Sequence, residues 1–299
     1  MQFDKITDLA GSANFIMIDL LTLFAAGYLY QRQVMVAVLV GISKFYLACY
    51  LLTRVLKRGH DARFDEMRSN FWAFLGFWVF QMLWAWGVSL PVMFILSDPS
   101  NPPLGSIDWG GLALFIFGFL LEMIGDLQKD AFRSNPRNKG EFMCTGLWAW
   151  SRHPNFCGEI LMWWAIFIIG SPVFSSSASS WGYATVLSPL LTMALLLFLS
   201  GMPTAEGDNQ KRFLRDPDVK TRYLKYREST SPLIPMPPFL YASMPLILKR
   251  VFFFEFKMYE TDWSYTGEDL DSSAVEAMAH KAPLTQRRSH ESKSDVSSY

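Results

Sequence analysis

The sequence predicts an all-α membrane protein: a polytopic transmembrane bundle of about six to seven spans, with both termini cytoplasmic. Three observations carry this. Of 299 residues, 51% are hydrophobic and only 18% are charged, whereas a soluble domain carries about 25% charge. Apolar runs approaching the ~20 residues that span a bilayer recur along the chain. Basic residues collect in alternate loops, as the positive-inside rule describes. The mean hydropathy of +0.16 agrees.

Residues 1–13 form a polar lead-in. Neither a basic flank nor a small-residue cleavage site marks a signal peptide. The first apolar run is Asn14 to Tyr30, interrupted only by Asp19. Gln31 to Gln33 is too short to be more than a turn. The second run, Val34 to Thr53, has Lys44 as its only charge, so the two runs read as a tight hairpin.

A dense basic loop follows from Arg54 to Arg68. The third run, Asn70 to Leu96, holds Trp72, Trp78, Trp84 and Trp86. Ser97 to Asp108 is a proline-rich turn without Lys or Arg. Trp109 to Gly125 is the fourth run, and Asp126 to Arg152 is a second basic loop. The fifth run, Ile160 to Gly170, reaches span length if its helix begins near Pro154. Residues 171–181 are small and uncharged, Tyr183 to Ser200 is the sixth run, and from Gly201 the chain is polar and basic.

Prolines 232, 235, 237, 238 and 245 break the apolar stretch from Ser231 to Phe256, and proline at this density ends helices. The stretch reads as interfacial, with one short helix over Leu246 to Phe256. Two units are expected: a membrane-embedded domain over 1–258 and a disordered cytoplasmic tail over 259–299. There is no internal repeat.

Lys plus Arg and Asp plus Glu are both 27, so the charge balance points to no nucleic-acid partner. Three scattered cysteines argue against a disulfide scaffold or a zinc site, and no metal centre is expected. Lipids and a lipophilic small molecule are the expected partners.

The chemistry concentrates in Gly146 to Trp164, GLWAWSRHPNFCGEILMWW, where Arg152, His153, Asn155 and Glu159 crowd beside an apolar run. A polar cluster next to membrane-like sequence is costly unless solvated, paired or used. Pro154 suits a helix's first turn. Residues at such an end can bind an anion, and Arg152 and His153 add cationic donors. The plainer reading is a capped helix whose Arg faces lipid headgroups. Glu159 lies one turn beyond Asn155 on the same face. In apolar surroundings a carboxyl tends to keep its proton and can then donate to a substrate carbonyl; it could equally pair with Arg152 or His153.

Asp126, Lys129 and Arg133 share another helical face, at spacings of three, four and seven. The two cations fit a phosphate-bearing cofactor, or they snorkel to headgroups while Asp126 pairs with one of them. Glu206, Asp208, Arg212, Arg215, Tyr223 and Tyr226 are candidates for the cofactor's far end, in a stretch that otherwise reads as an ordinary solvated helix.

GDLQKDAFR at 125–133, GLWAWSRHPNFCGE at 146–159, SGMP at 200–203, YLK from Tyr223 and the later PLIP resemble the steroid 5-alpha-reductase superfamily, in its DUF1295 branch. The resemblance covers most of the chain from about Ile6 to Tyr241. It implies a membrane-helix bundle that binds NADPH from the cytoplasm. It further implies hydride transfer to the β-carbon of an α,β-unsaturated ketone in a lipid or steroid-like substrate. By that resemblance Asp126, Arg133, Asn155 and Tyr223 contact the cofactor and Glu159 hydrogen-bonds the substrate carbonyl, so Glu159 is the expected catalytic residue. Lys129, Arg152 and His153 join the cofactor set from the reading of the residues. An endoplasmic-reticulum address follows from the same resemblance. The family's Asn four positions before the Asp is Glu122 here, and Tyr46 and Tyr50 are the candidates for its carbonyl-polarising Tyr.

Two other readings compete. The Arg-His-Pro motif with a later Glu also resembles membrane methyltransferases of the isoprenylcysteine carboxyl type, which bind S-adenosylmethionine. Asp126 with Arg133 favours a phosphorylated dinucleotide, and GMPTAEGDNQ lacks the Glu pair usual in those enzymes. The third reading is a non-catalytic sterol-binding membrane protein.

Overall fold

The computed structural model describes residues 7–27, 29–58, 70–176, 180–214 and 216–260. Among these it is a bundle of helices without strands; a single parallel bridge joins Ser151 and Ser231. Helix α1 covers Thr7–Ala26, α2 Gln31–Arg58, α3 Phe71–Val88, α4 Leu90–Ser97, α5 Ser106–Ser134 and α6 Pro154–Ser176. A 3₁₀ stretch, Ser180–Val186, leads into α7 (Leu187–Ala194), which widens into a π-helical turn over Leu195–Leu199. Then come α8 (Met202–Ala205), a 3₁₀ stretch Gly207–Leu214, α9 (Pro217–Ser229), α10 (Pro238–Ser243) and α11 (Leu246–Phe252).

Among the described residues, six segments are long and apolar enough to cross a membrane: Leu9–Ala26, Gln31–Lys57, Phe71–Val88, Ser106–Ser134, Pro154–Ser176 and Ser180–Phe213. The expected all-α polytopic bundle is what forms. Phe15, Val40, Val92, Phe115, Ile166 and Ile169 make its main core. Phe24, Trp72, Phe80 and Phe117 stay exposed, as side chains facing lipid do.

Several boundaries differ from the sequence reading. Helix α1 begins at Thr7, inside the expected lead-in. The run 70–96 breaks into α3 and α4 at Ser89, with Pro91 in the first turn of α4; a proline lacks the N–H that would continue α3. Residues 31–33 open α2 instead of forming a bare turn. Arg32 is buried there, donating to Asp108 at 2.7 and 3.0 Å and to the carbonyls of Pro102 and Pro103. The proline-rich turn is thus clamped from beneath. Helix α5 runs through Asp126, Lys129 and Arg133 to Ser134, so much of the expected second loop is helix. Arg133 in its last turn complements the negative end of the helix dipole.

Helices α5 and α6 make the tightest pairing in the bundle, and glycines permit it. A Cβ on Gly118 would stand 2.8 Å from the carbonyl oxygen of Gly158, and one on Gly125 would stand 3.3 Å from the amide nitrogen of Asn155. Small residues at such a contact let two backbones approach. The approach sets the polar residues of the two helices against each other one turn further on.

The C-terminal stretch folds back on the bundle. Arg152 N donates to Ser231 O at 2.8 Å, and Met236 N to Trp150 O at 3.0 Å. Helix α11 ends at Phe252, short of the expected Phe256, and Phe254 takes φ of 61°. Left-handed backbone is uncommon for a bulky residue and marks a turn held by its surroundings. Tyr259, placed by sequence in the tail, is fully buried and donates to Leu197 O in the π-helical turn. Residues 261–299 of the expected tail lie outside the described residues.

Candidate active site

Two cavities meet around the start of α6. The outer one, about 630 Å³, lies at the loop end of the bundle and is lined by Lys129, Arg133, Lys139, His153, Arg212 and Tyr223, among others. The inner one, about 250 Å³, lies between the spans and is lined by Lys44, Tyr50, Glu122, Asp126, Asn155 and Glu159 together with Leu47, Trp84, Phe156 and Leu196. One helical turn of α5 separates Asp126 from Lys129. Just ahead of α6 the His153 ring, which lines the outer cavity, stacks on Phe156, which lines the inner one, with centroids 5.1 Å apart.

The two cavities divide the residues singled out from the sequence. Lys129, Arg133, Arg152, His153 and Tyr223 border the outer cavity, while Asp126 and Asn155 border the inner one with Glu159. Asn155 Nδ2 donates to Asp126 Oδ1 at 3.0 Å. Its Oδ1 is buried with no hydrogen-bond partner. Lys129 Nζ lies over the Trp148 ring, 4.4 Å from its centroid, and the Trp148 indole donates to Gly125 O.

Arg152 differs from its expected part. Its side chain is 3% exposed, with Glu255 at 2.6 Å and Glu206 at 3.3 Å. Burial works to lower its pKa, but Glu206 and Glu255 outweigh that and raise it above the ordinary arginine value. Its charge is already matched inside the protein. Arg227 also approaches both carboxylates, and Tyr241 Oη donates to Glu255 at 2.6 Å. This network pins the C-terminal stretch beside the outer cavity. Glu206, a candidate for the cofactor's far end by sequence, is the buried counter-ion of Arg152 and the hydrogen-bond partner of His153.

His153 is buried, with Nε2 3.0 Å from Glu206 Oε1. Burial lowers its pKa, although Glu206 pulls the other way. In the neutral ring, Nε2–H donates to the carboxylate and Nδ1 keeps a lone pair. Nδ1 has no partner in the protein. It is an acceptor set on the wall of the outer cavity.

Tyr223 and Tyr226 form the opposite wall with Phe142 and Phe213. Burial raises the pKa of both hydroxyls, so they are neutral donors. Tyr226 Oη donates to Trp148 O at 2.6 Å. Arg215 and the side chain of Asp208, the remaining sequence candidates, lie outside the described residues.

In the inner cavity Glu159 Oε1 accepts from Lys44 Nζ at 2.7 Å and from Trp163 Nε1 at 2.8 Å. That ion pair makes Glu159 an acceptor here; of the two readings the sequence left open, a proton-holding donor or a partner of Arg152 or His153, the pairing is what forms, with Lys44 as the cation. Lys44 was missed as a site residue, although its signal was present as the lone charge of the second apolar run. Tyr50 lines this cavity; Tyr46 and Tyr50 direct their hydroxyls to the carbonyls of Met123 and Asp126, at 3.3 and 3.5 Å. No group of three or more potential metal ligands occurs among the described residues.

The fold and site thus define a six-span helical membrane protein with a basic outer cavity backing onto a polar-tipped inner one. The chain belongs to the DUF1295 family, described as proteins of unknown function, whose model matches residues 1–230. An uncharacterized protein of Schizosaccharomyces pombe is similar, 32% identical over 121 residues, which is 34% of this chain and 35% of the relative. The match thus spans about a third of that relative's length. No solved structure matches the chain.

Proposed function

We propose that the protein is an integral-membrane, NADPH-dependent reductase of a carbon–carbon double bond conjugated to a carbonyl in a lipophilic substrate. The observation that carries this reading is the back-to-back pair of cavities, basic outside and largely apolar inside. A dinucleotide needs cations and acceptors over an extended surface. Lys129, Arg133 and Arg212 would hold its phosphates, and the open Nδ1 of His153 and the Tyr223 wall would hold its polar and ring surfaces. The buried, unpartnered Oδ1 of Asn155 is an acceptor suited to a carboxamide at the boundary. When bound, NADPH supplies a hydride. The inner cavity, set between spans and lined in part by Leu47, Trp84, Phe156 and Leu196, suits a substrate that enters from the membrane.

The basic loops argue for a cytoplasmic outer cavity and cytoplasmic termini. The endoplasmic reticulum is the membrane this reading assigns.

The test is thermal unfolding of the purified chain in detergent with NADPH or S-adenosylmethionine. A ligand at a hundredfold excess over its Kd stabilises the native state by about 2.7 kcal/mol. A shift with NADPH alone supports the reductase. A shift with S-adenosylmethionine alone would replace it with the methyltransferase reading, and no shift with either would favour a non-catalytic protein.

A further inference from the structure

The inner cavity contains a buried ammonium whose surroundings are built. Lys44 is 3% exposed and Glu159 16%. Lys44 Nζ lies 2.7 Å from Glu159 Oε1, 5.0 Å from the Phe15 centroid and 5.1 Å from that of Trp163. The charged and titratable groups around it are Asp19 on α1, Glu122 on α5 and Glu159 on α6. Glu159 is itself fixed by the Trp163 indole.

An ammonium carries three N–H donors. The ion pair engages one carboxylate oxygen and the aromatic faces take no strong hydrogen bond. A carbonyl oxygen entering the cavity is attracted to Lys44 and repelled by the Glu159 carboxylate. Charge stabilisation of this kind is strongest where water is excluded and the donor is held in advance.

We propose that Lys44 is a catalytic residue of the inner cavity, donating a hydrogen bond from Nζ to the substrate's carbonyl oxygen, while Glu159 positions it. The ligand class is a lipophilic molecule with a carbonyl, or another oxygen that acquires negative charge, at its buried end. The catalytic role rests on the reductase reading. Once hydride has reached the β-carbon, the electron pair of the double bond moves to give an enolate with its charge on oxygen. Lys44 holds that charge and keeps its own protons. A proton from solvent water, which leaves as hydroxide, completes the α-carbon. The double bond is reduced and the nicotinamide oxidised.

The experiment uses p-nitrophenol, a one-ring probe whose oxyanion is visible by absorbance, with the purified full chain in detergent. The wild type binds it as the coloured phenolate, and Lys44→Met weakens that binding by about tenfold or more. Lys44→Arg, which keeps the charge, retains part of it. Should Lys44→Met leave too little folded protein, Lys44→Met with Glu159→Gln removes both charges at nearly constant volume and makes the same comparison. Equal phenolate affinity in wild type and variant, or no phenolate binding by the wild type, overturns the proposal. NADPH affinity, followed by fluorescence, stays unchanged in Lys44→Met. If the wild type binds the phenolate through Lys44 but does not bind NADPH, the oxyanion site stands and the reductase reading falls.

Discussion

A side chain on Gly118 would clash with the Gly158 carbonyl oxygen: the two backbones meet where a Cβ would stand 2.8 Å from that oxygen. Glu122 and Asp126 follow Gly118 on α5, and Asn155 and Glu159 flank Gly158 on α6. The glycine contact therefore brings both cavity walls together. Gly118→Ala must push the helices apart. Overpacking of this kind costs about 1–3 kcal/mol, so the melting temperature in detergent falls. Gly110→Ala, at an exposed position with nothing within 4 Å of its Cβ, leaves it unchanged or slightly raised. Equal effects of the two changes would count against the close contact.

Arg32 and Asp108 form a buried pair at the opposite end of the bundle from the basic cavity, with exposures of 2% and 1%. Arg32→Met leaves a carboxylate without its cation, and breaking a buried pair from one side costs about 3–5 kcal/mol. Arg32→Met with Asp108→Asn recovers much of that. The exposed Lys57–Asp130 pair behaves otherwise: Asp130→Asn changes stability by about 1 kcal/mol at most. Thermal melts of the three variants check the contrast, and a mild effect of Arg32→Met alone would refute it.

The architecture was legible because lipid leaves few solutions: unpaired backbone must be helical, so runs of apolar residues report spans directly. The Pro154 start of α6 followed from the same logic. Pairings were less legible. Lys44 and Glu159 lie 115 positions apart, and no local spacing announces such a contact. Arg152 looked like an anion donor because its two counter-ions, Glu206 and Glu255, stand 54 and 103 residues further on. A buried charge and its partner become visible only when the helices are assembled. A lone Lys in an apolar run was still a usable signal, since an ionisable residue in a membrane is costly unless paired.

Acid should weaken the protein through His153. Burial depresses its folded-state pKa below the ordinary histidine value of about 6.5. Between the two values the unfolded chain binds more protons, so stability falls as pH drops below about 6.5 and is flat above it. His153→Gln, which can still donate to Glu206, flattens the profile over that window. Denaturant or thermal unfolding at a series of pH values tests this, and an unchanged slope in the variant would remove His153 as the source.

Arg133 and Arg152 both border the outer cavity, yet the structure separates their parts. Arg133 sits in the last turn of α5 and is exposed, whereas Arg152 is enclosed by Glu206 and Glu255. If the cavity takes NADPH, Arg133→Ala removes a phosphate contact and weakens the cofactor's affinity by about tenfold, a charge-assisted hydrogen bond being worth roughly 1.5–3 kcal/mol. Its melting temperature without ligand stays close to wild type. Arg152→Ala takes the nearest cation from Glu206 and Glu255, leaving Arg227 as the more distant one, and loosens the C-terminal stretch, so its melting temperature falls first, by an amount matching up to about 3–5 kcal/mol. Fluorescence titration with NADPH beside ligand-free melts distinguishes them. A stable Arg152→Ala that has lost only NADPH affinity would return Arg152 to the cofactor set, and an Arg133→Ala with full affinity would take Arg133 out of it.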